Sequence, residues 1–69
     1  MTISDEDLLK RKSTKYGLEV FGPLENYKKW LNRENFAFNW EKPIDWLSTK
    51  KGEDYVESIL VGLIYGDNA

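Results

Sequence analysis

The sequence contains no cysteine and no histidine. Without cysteine there is no disulfide and no thiolate metal site to reinforce the chain. Without either residue, a Ser-His-Asp triad, a Cys-His pair, a zinc finger and a haem ligand set are all excluded. Long hydrophobic runs are missing as well. The most apolar stretch, residues 59–65, falls far short of the roughly 20 residues that a membrane-spanning helix needs, and no export signal opens the chain. There is no excess of basic charge: the net charge is −2, against the basic footprint of a nucleic-acid-binding domain. The twelve Asp and Glu residues are the chemistry that remains. A two-carboxylate mechanism needs a cleft, and so short a chain has little interior in which to build one. These absences lead us to expect a cytoplasmic protein that is not an enzyme, holds no cofactor or metal, and acts by docking onto another macromolecule.

What is present is aromatic. Three Trp, four Tyr and three Phe stand in 69 residues, and each ring can bury roughly 150–250 Å². They compensate for a chain that is one domain, residues 1–69, and that buries only about 60% of its unfolded surface. Domains of this size often gain stability from a partner.

The expected fold class is all-α, a small single domain of about four helices with short turns and one aromatic loop. Ser4 is placed to cap a first helix over residues 5–21, with Asp5, Glu6 and Asp7 in its first turn and Leu9, Tyr16 and Val20 on one face. Lys10, Arg11, Lys12 and Lys15 come after those acids, so they match the helix dipole as a solvated face rather than forming a phosphate site. Gly22-Pro23 punctuates: glycine suits the C′ position and proline the N1 position of the next helix. That helix runs to about Asn32, with Leu24, Tyr27, Trp30 and Leu31 in one stripe. Residues 35–42 lack a helical period. The alternation of Phe36, Phe38 and Trp40 also fits a short strand, but with nothing obvious for it to pair with, these rings are expected to tuck the segment as a loop across the helices. Pro43 opens a short helix to Leu47, and Ser48 or Thr49 caps the last one. There Tyr55, Val56, Ile59, Leu60, Leu63 and Ile64 give the clearest period in the chain, before Gly66 at C′.

Three features point outward. Trp46 lies about half a turn from Ile44 on a short helix, so one of the two faces away from the core. Trp46, and Trp40 before it in the sequence, therefore read either as core or as interface tryptophans, a residue type enriched at binding hot spots. Gly62 interrupts a strong helix at a cost of about 0.5–1 kcal/mol, which fits either a close helix crossing or a partner approaching that face. Residues 59–61 and 63–65 leave almost no polar face near the end of the last helix, and an exposed apolar patch of this kind marks a protein interface.

The order Phe21-Gly22, Trp30-Leu31, Pro43 with Leu47, Thr49 and Gly52, Val56, Leu60 and finally Tyr65-Gly66 resembles the toxin-binding domain of the MbcA/ParS/Xre antitoxin family over about residues 18–69. The resemblance implies a bacterial antitoxin that binds a RES-type toxin, an enzyme that depletes NAD. It further implies that the C-terminal end of the domain blocks the entrance of the toxin's active site. Carried over by position, that end is Gly62, Leu63, Ile64, Tyr65, Gly66, Asp67, Asn68 and Ala69, and Trp46 joins them as a candidate from outside the segment. The chain departs from the family in two places. Asn39-Trp40 stands where members carry a small Gly-rich turn, and Gly62 and Ile64 stand where the family favours an Arg with an acidic residue soon after. Many members also carry an N-terminal helix-turn-helix domain, for which residues 1–17 are too short. The competing reading from another class is a structural or adaptor module that pairs with itself through the same apolar arc as a homodimer.

Overall fold

The computed structural model describes residues 3–66. The fold is all-α. Among the described residues there are five helices, α1 (Asp5–Lys10), α2 (Thr14–Phe21), α3 (Leu24–Leu31), α4 (Pro43–Trp46) and α5 (Lys50–Ile64), with a single 3-10 turn over Phe36–Phe38.

The helix expected over residues 5–21 is two helices. Ser4 caps α1 as anticipated, its hydroxyl accepting from the Asp7 N–H at 3.2 Å. The ladder then breaks at Arg11, whose backbone is extended. Two local groups take over the carbonyl of Leu8: the Arg11 N–H at 3.1 Å and the Thr14 hydroxyl. Ser and Thr offer a backbone carbonyl an alternative to the helical bond, and here that alternative wins because it is tied down elsewhere. Arg11 Nη1 donates to the Leu47 carbonyl at 2.9 Å and to Glu53 Oε1 at 3.2 Å, and Ser13 Oγ donates to Glu53 Oε2 at 3.1 Å. The break takes α1 and α2 off a single continuous face, so Leu8 enters the core while Leu9 faces outward. The basic cluster is therefore not simply a solvated face. Arg11 joins Glu53, and Lys12 pairs with Asp54 at 2.8 Å, so both tie the start of α2 to α5.

Two expected outcomes arise from this junction. Arg11→Ala strands the Leu47 carbonyl and leaves Glu53 with Ser13 alone, so urea denaturation should show a loss of about 1–3 kcal/mol. Lys12 Nζ, through its hydrogen bond, holds the Asp54 carboxyl below its ordinary value. The stability from that pair is present above the ordinary carboxylate range and is lost as pH falls through the lowered value. The gap between wild type and Asp54→Asn in urea midpoint should accordingly close below about pH 4.

Gly22 ends α2 with φ +82°, the left-handed region glycine enters without cost. Pro23 then precedes α3 as its N-cap rather than occupying N1. From α3 a column of rings crosses the molecule. Tyr27 stacks on Trp30 at 6.1 Å, Trp30 meets Phe38 edge-on at 5.8 Å, Phe38 meets Trp46 at 5.2 Å, and Trp46 lies 5.0 Å from Tyr55. Offset and edge-to-face pairs of this kind add to simple burial. Gly17 is what admits Tyr27: a Cβ there would overlap the tyrosine ring. The Tyr27 hydroxyl is buried without a hydrogen-bond partner among the described residues, and burial pushes its pKa up.

The loop of residues 35–42 departs from expectation. Only Phe38 tucks inward. Phe36 is 76% exposed and Trp40 64% exposed, their rings 5.6 Å apart. The loop is pinned at its neck by an antiparallel bridge between Asn35 and Glu41, with no strand among the described residues. Its tip turns through two non-glycine residues of positive φ, Asn39 at 57° and Trp40 at 65°. Asparagine tolerates that region, but a tryptophan there costs on the order of 1–3 kcal/mol. These two residues are the ones standing where a Gly-rich turn was expected.

Candidate functional site

The end of α5 is positioned from its beginning. Thr49 Oγ1 accepts from the Gly52 N–H at 2.9 Å and so caps the helix, while Ser48 donates instead to the Asp45 carbonyl. Gly52 packs directly on the Trp46 carbonyl, which sets the corner between α4 and α5. Glu53 is held by Arg11 and Ser13. Tyr55 donates its hydroxyl to the Ala37 carbonyl at 2.6 Å. Val56 and Leu60 then anchor the helix in the core, and α2 packs along it.

Leu60 is the last residue of α5 that is fully buried. The helix continues for another turn, to Ile64. On that turn Leu63 is 45% exposed and Tyr65, just past it, is 78% exposed, while Val61, Gly62 and Ile64 are half-buried. A Cβ at Gly62 would meet nothing within 4 Å among the described residues, so the glycine does not mark a crossing with another of the described helices. Gly66 turns the chain with φ +65°, its N–H bonding the Leu63 carbonyl at 3.3 Å, as its expected place at C′ requires. No basic residue stands in the last turn of α5. The last turn itself therefore supplies no cation to offset the negative end of the helix dipole. The site is a short apolar projection with a negative tip.

Leu63, Ile64, Tyr65 and Gly66 form this projection together with Gly62. Asp67, Asn68 and Ala69 lie outside the described residues. Trp46 sits elsewhere: its ring is half-buried against Phe38 and Tyr55, and its Nε1 donates to Glu41 Oε1 at 2.9 Å. Tyr55 precedes Leu63 by eight residues, about 12 Å along a helix, so Trp46 and the projection are separate surfaces. Ile44 is the inward residue of α4. Of the exposed aromatic pair, Trp40 is one of the two tryptophans that the sequence leaves open between core and interface, whereas the exposure of Phe36 is not foreseen by the residue pattern.

No group of three or more acidic residues could hold a metal ion among the described residues, and no helix there is long and apolar enough to cross a membrane. No curated protein and no solved structure matches the chain. One family model does match, over residues 17–66, a span that begins inside α2 and takes in α3 through α5 and the whole projecting end of α5. The chain belongs to the family of the antitoxin Xre/MbcA/ParS C-terminal toxin-binding domain.

Proposed function

We propose that the end of α5 is the toxin-binding surface, and that it inhibits by occupying the active-site entrance of an NAD-depleting toxin of the RES type. The observation that supports this most directly is the turn of helix beyond Leu60. It presents Leu63 and Tyr65 to solvent and leaves Gly62 open to a close approach. In a domain this small, apolar side chains left outside a thin core are a stability forgone, and a partner's pocket is what recovers it. The negative end of the helix, with no basic residue in its last turn, suits a pocket that binds an anionic substrate and is therefore lined with cations. Asp67 and Asn68 extend the same tip in sequence and supply carboxylate and amide groups for charge-assisted bonds in that pocket. The antitoxin itself contributes no catalytic group; its action is occlusion.

The test is co-expression with a RES-type toxin in cells whose NAD content is followed. The wild-type chain should keep NAD at the level of toxin-free cells, and Asp67→Ala with Asn68→Ala should lower that protection. Full NAD loss in the presence of soluble wild-type chain would exclude this toxin class as its target.

A further inference from the structure

A groove of about 340 Å³ opens where the end of α2 meets α3, lined by Phe21, Asn26, Lys29, Trp30 and Arg33. Its floor is aromatic and held in place. The Phe21 and Trp30 rings lie 5.5 Å apart. Trp30 rests in turn on Tyr27 at 6.1 Å and on Phe38 at 5.8 Å, two rings that are fully buried. Asn26 Nδ2 donates to the Phe21 carbonyl at 3.4 Å, which ties the start of α3 back to the end of α2. Phe21 and Trp30 themselves are only half-buried, so the groove leaves apolar surface open. A groove whose walls are already ordered costs its ligand little in rearrangement.

The charge at the rim is one-sided. No acidic residue lines the groove, in a chain whose net charge is −2. Lys28 and Lys29 both fall in the last turn of α3, where cations suit the helix dipole. Lys28 is taken by Asp5 at 2.7 Å. Lys29 and Arg33 make no ion pair among the described residues. The Arg33 N–H donates to the Trp30 carbonyl at 3.3 Å, so the chain is still turning there. The two cations therefore stand about one helical turn apart along the aromatic floor.

We propose that this groove binds an acidic amphipathic helix of a partner protein. A leucine or another bulky apolar side chain of that helix sits on Phe21 and Trp30. Two carboxylates one turn apart on the same face, roughly 5–6 Å from each other, meet Lys29 and Arg33. The chemistry of the groove selects this occupant. An apolar floor suits a segment whose backbone groups are satisfied internally, as those of a helix are. An added strand has no edge to pair with, because there is no strand among the described residues. A nucleic acid meets only these two cations, on a protein that is acidic overall. The groove shares no residue with the projecting end of α5, so the acidic helix and a toxin occupy separate surfaces.

The experiment follows the indole N–H signals of Trp30, Trp40 and Trp46 while the 69-residue chain is titrated with three probes in an NMR tube. The first is a short alanine-based helical peptide that presents a leucine beside two glutamates one turn apart. The second carries lysines in place of the glutamates, and the third is oligothymidylate. The glutamate peptide should shift Trp30, leave Trp40 and Trp46 in place, and bind less well as salt is raised. Alanine in place of its leucine should weaken binding by about tenfold. The double variant Lys29→Glu, Arg33→Glu should lose the glutamate peptide and bind the lysine peptide instead. Both positions are exposed, so this variant keeps its fold. No shift of Trp30 by the glutamate peptide would overturn the proposal. So would an equal shift from the lysine peptide on wild type, or tighter binding of oligothymidylate. A Trp30 shift that grows with the concentration of the chain alone would also overturn it, by assigning the groove to a second copy.

Discussion

Replacing Leu63 and Tyr65 together by Asp is expected to abolish toxin inhibition while leaving the domain folded. Both side chains project past the last fully buried residue of α5, Leu60, and Tyr65 is 78% exposed. Neither belongs to the core of Leu8, Tyr27, Leu31, Phe38, Ile44, Leu47, Val56 and Leu60. Surface changes away from such a core usually shift stability within about 0.5 kcal/mol. Binding is affected on a different scale. An anchor buried at the centre of an interface is worth about 2 kcal/mol or more, and two carboxylates in place of two anchors add desolvated charge next to a helix end that is already negative. A loss of at least about a hundredfold in affinity is expected, measured by titrating toxin activity with purified chain. A double variant that inhibits as well as wild type would place the toxin contact elsewhere. One that unfolds would show that the turn beyond Leu60 supports the core.

The largest effect on folding is expected at Gly52. Its Cα faces the Trp46 carbonyl, and any Cβ there would overlap that backbone group and crowd Thr49 Oγ1, the atom that caps α5. A flexible side chain could move aside, but a carbonyl in the corner between α4 and α5 cannot move without opening the corner and breaking the bond from Arg11 to the Leu47 carbonyl. Overpacking costs typically about 1–3 kcal/mol and occasionally more, and a Cβ driven into an immovable backbone carbonyl belongs at the upper end. A domain this small has about 3–5 kcal/mol in total. Gly52→Ala should therefore be largely unfolded at 25 °C by circular dichroism. Gly62→Ala is the contrast. With nothing within 4 Å of the added carbon among the described residues, it should gain about 0.5–1 kcal/mol from helix propensity. If a toxin backbone approaches that glycine closely, the same variant binds less well although it is more stable.

The features legible in the residues divide from the rest along physical lines. The stripe of α3 and the apolar period of α5 are legible because a helix writes its buried face into the spacing of its own residues. The end of α5 is legible for the same reason, as an apolar arc that outruns the core. The break between α1 and α2 is not, because its causes lie far along the chain. Arg11 and Ser13 leave the helix for Leu47 and Glu53, which stand 36 to 42 residues away. The aromatic loop is half legible. A spacing of two would put Phe36, Phe38 and Trp40 on one face of an extended segment, but the 3-10 turn and the positive φ at Asn39 and Trp40 send Phe38 inward and the other two outward. Nor does any local rule anticipate a tryptophan at positive φ, since the residue preference there runs against it. Gly17 looks in sequence like a weak point of a helix, whereas its missing side chain is what seats the Tyr27 ring.

Occupation of the toxin's active-site entrance by the end of α5 is tested most directly by photocrosslinking. p-Benzoylphenylalanine is placed at position 65, the complex with a RES-type toxin is irradiated, and the crosslinked toxin peptide is mapped. Occlusion predicts a crosslink to residues that border the NAD pocket, suppressed when the pocket is filled with a substrate analogue, and no crosslink from the same probe at the exposed Leu9. A crosslink from position 9 with none from position 65, or one from position 65 to a surface remote from the pocket, would contradict it.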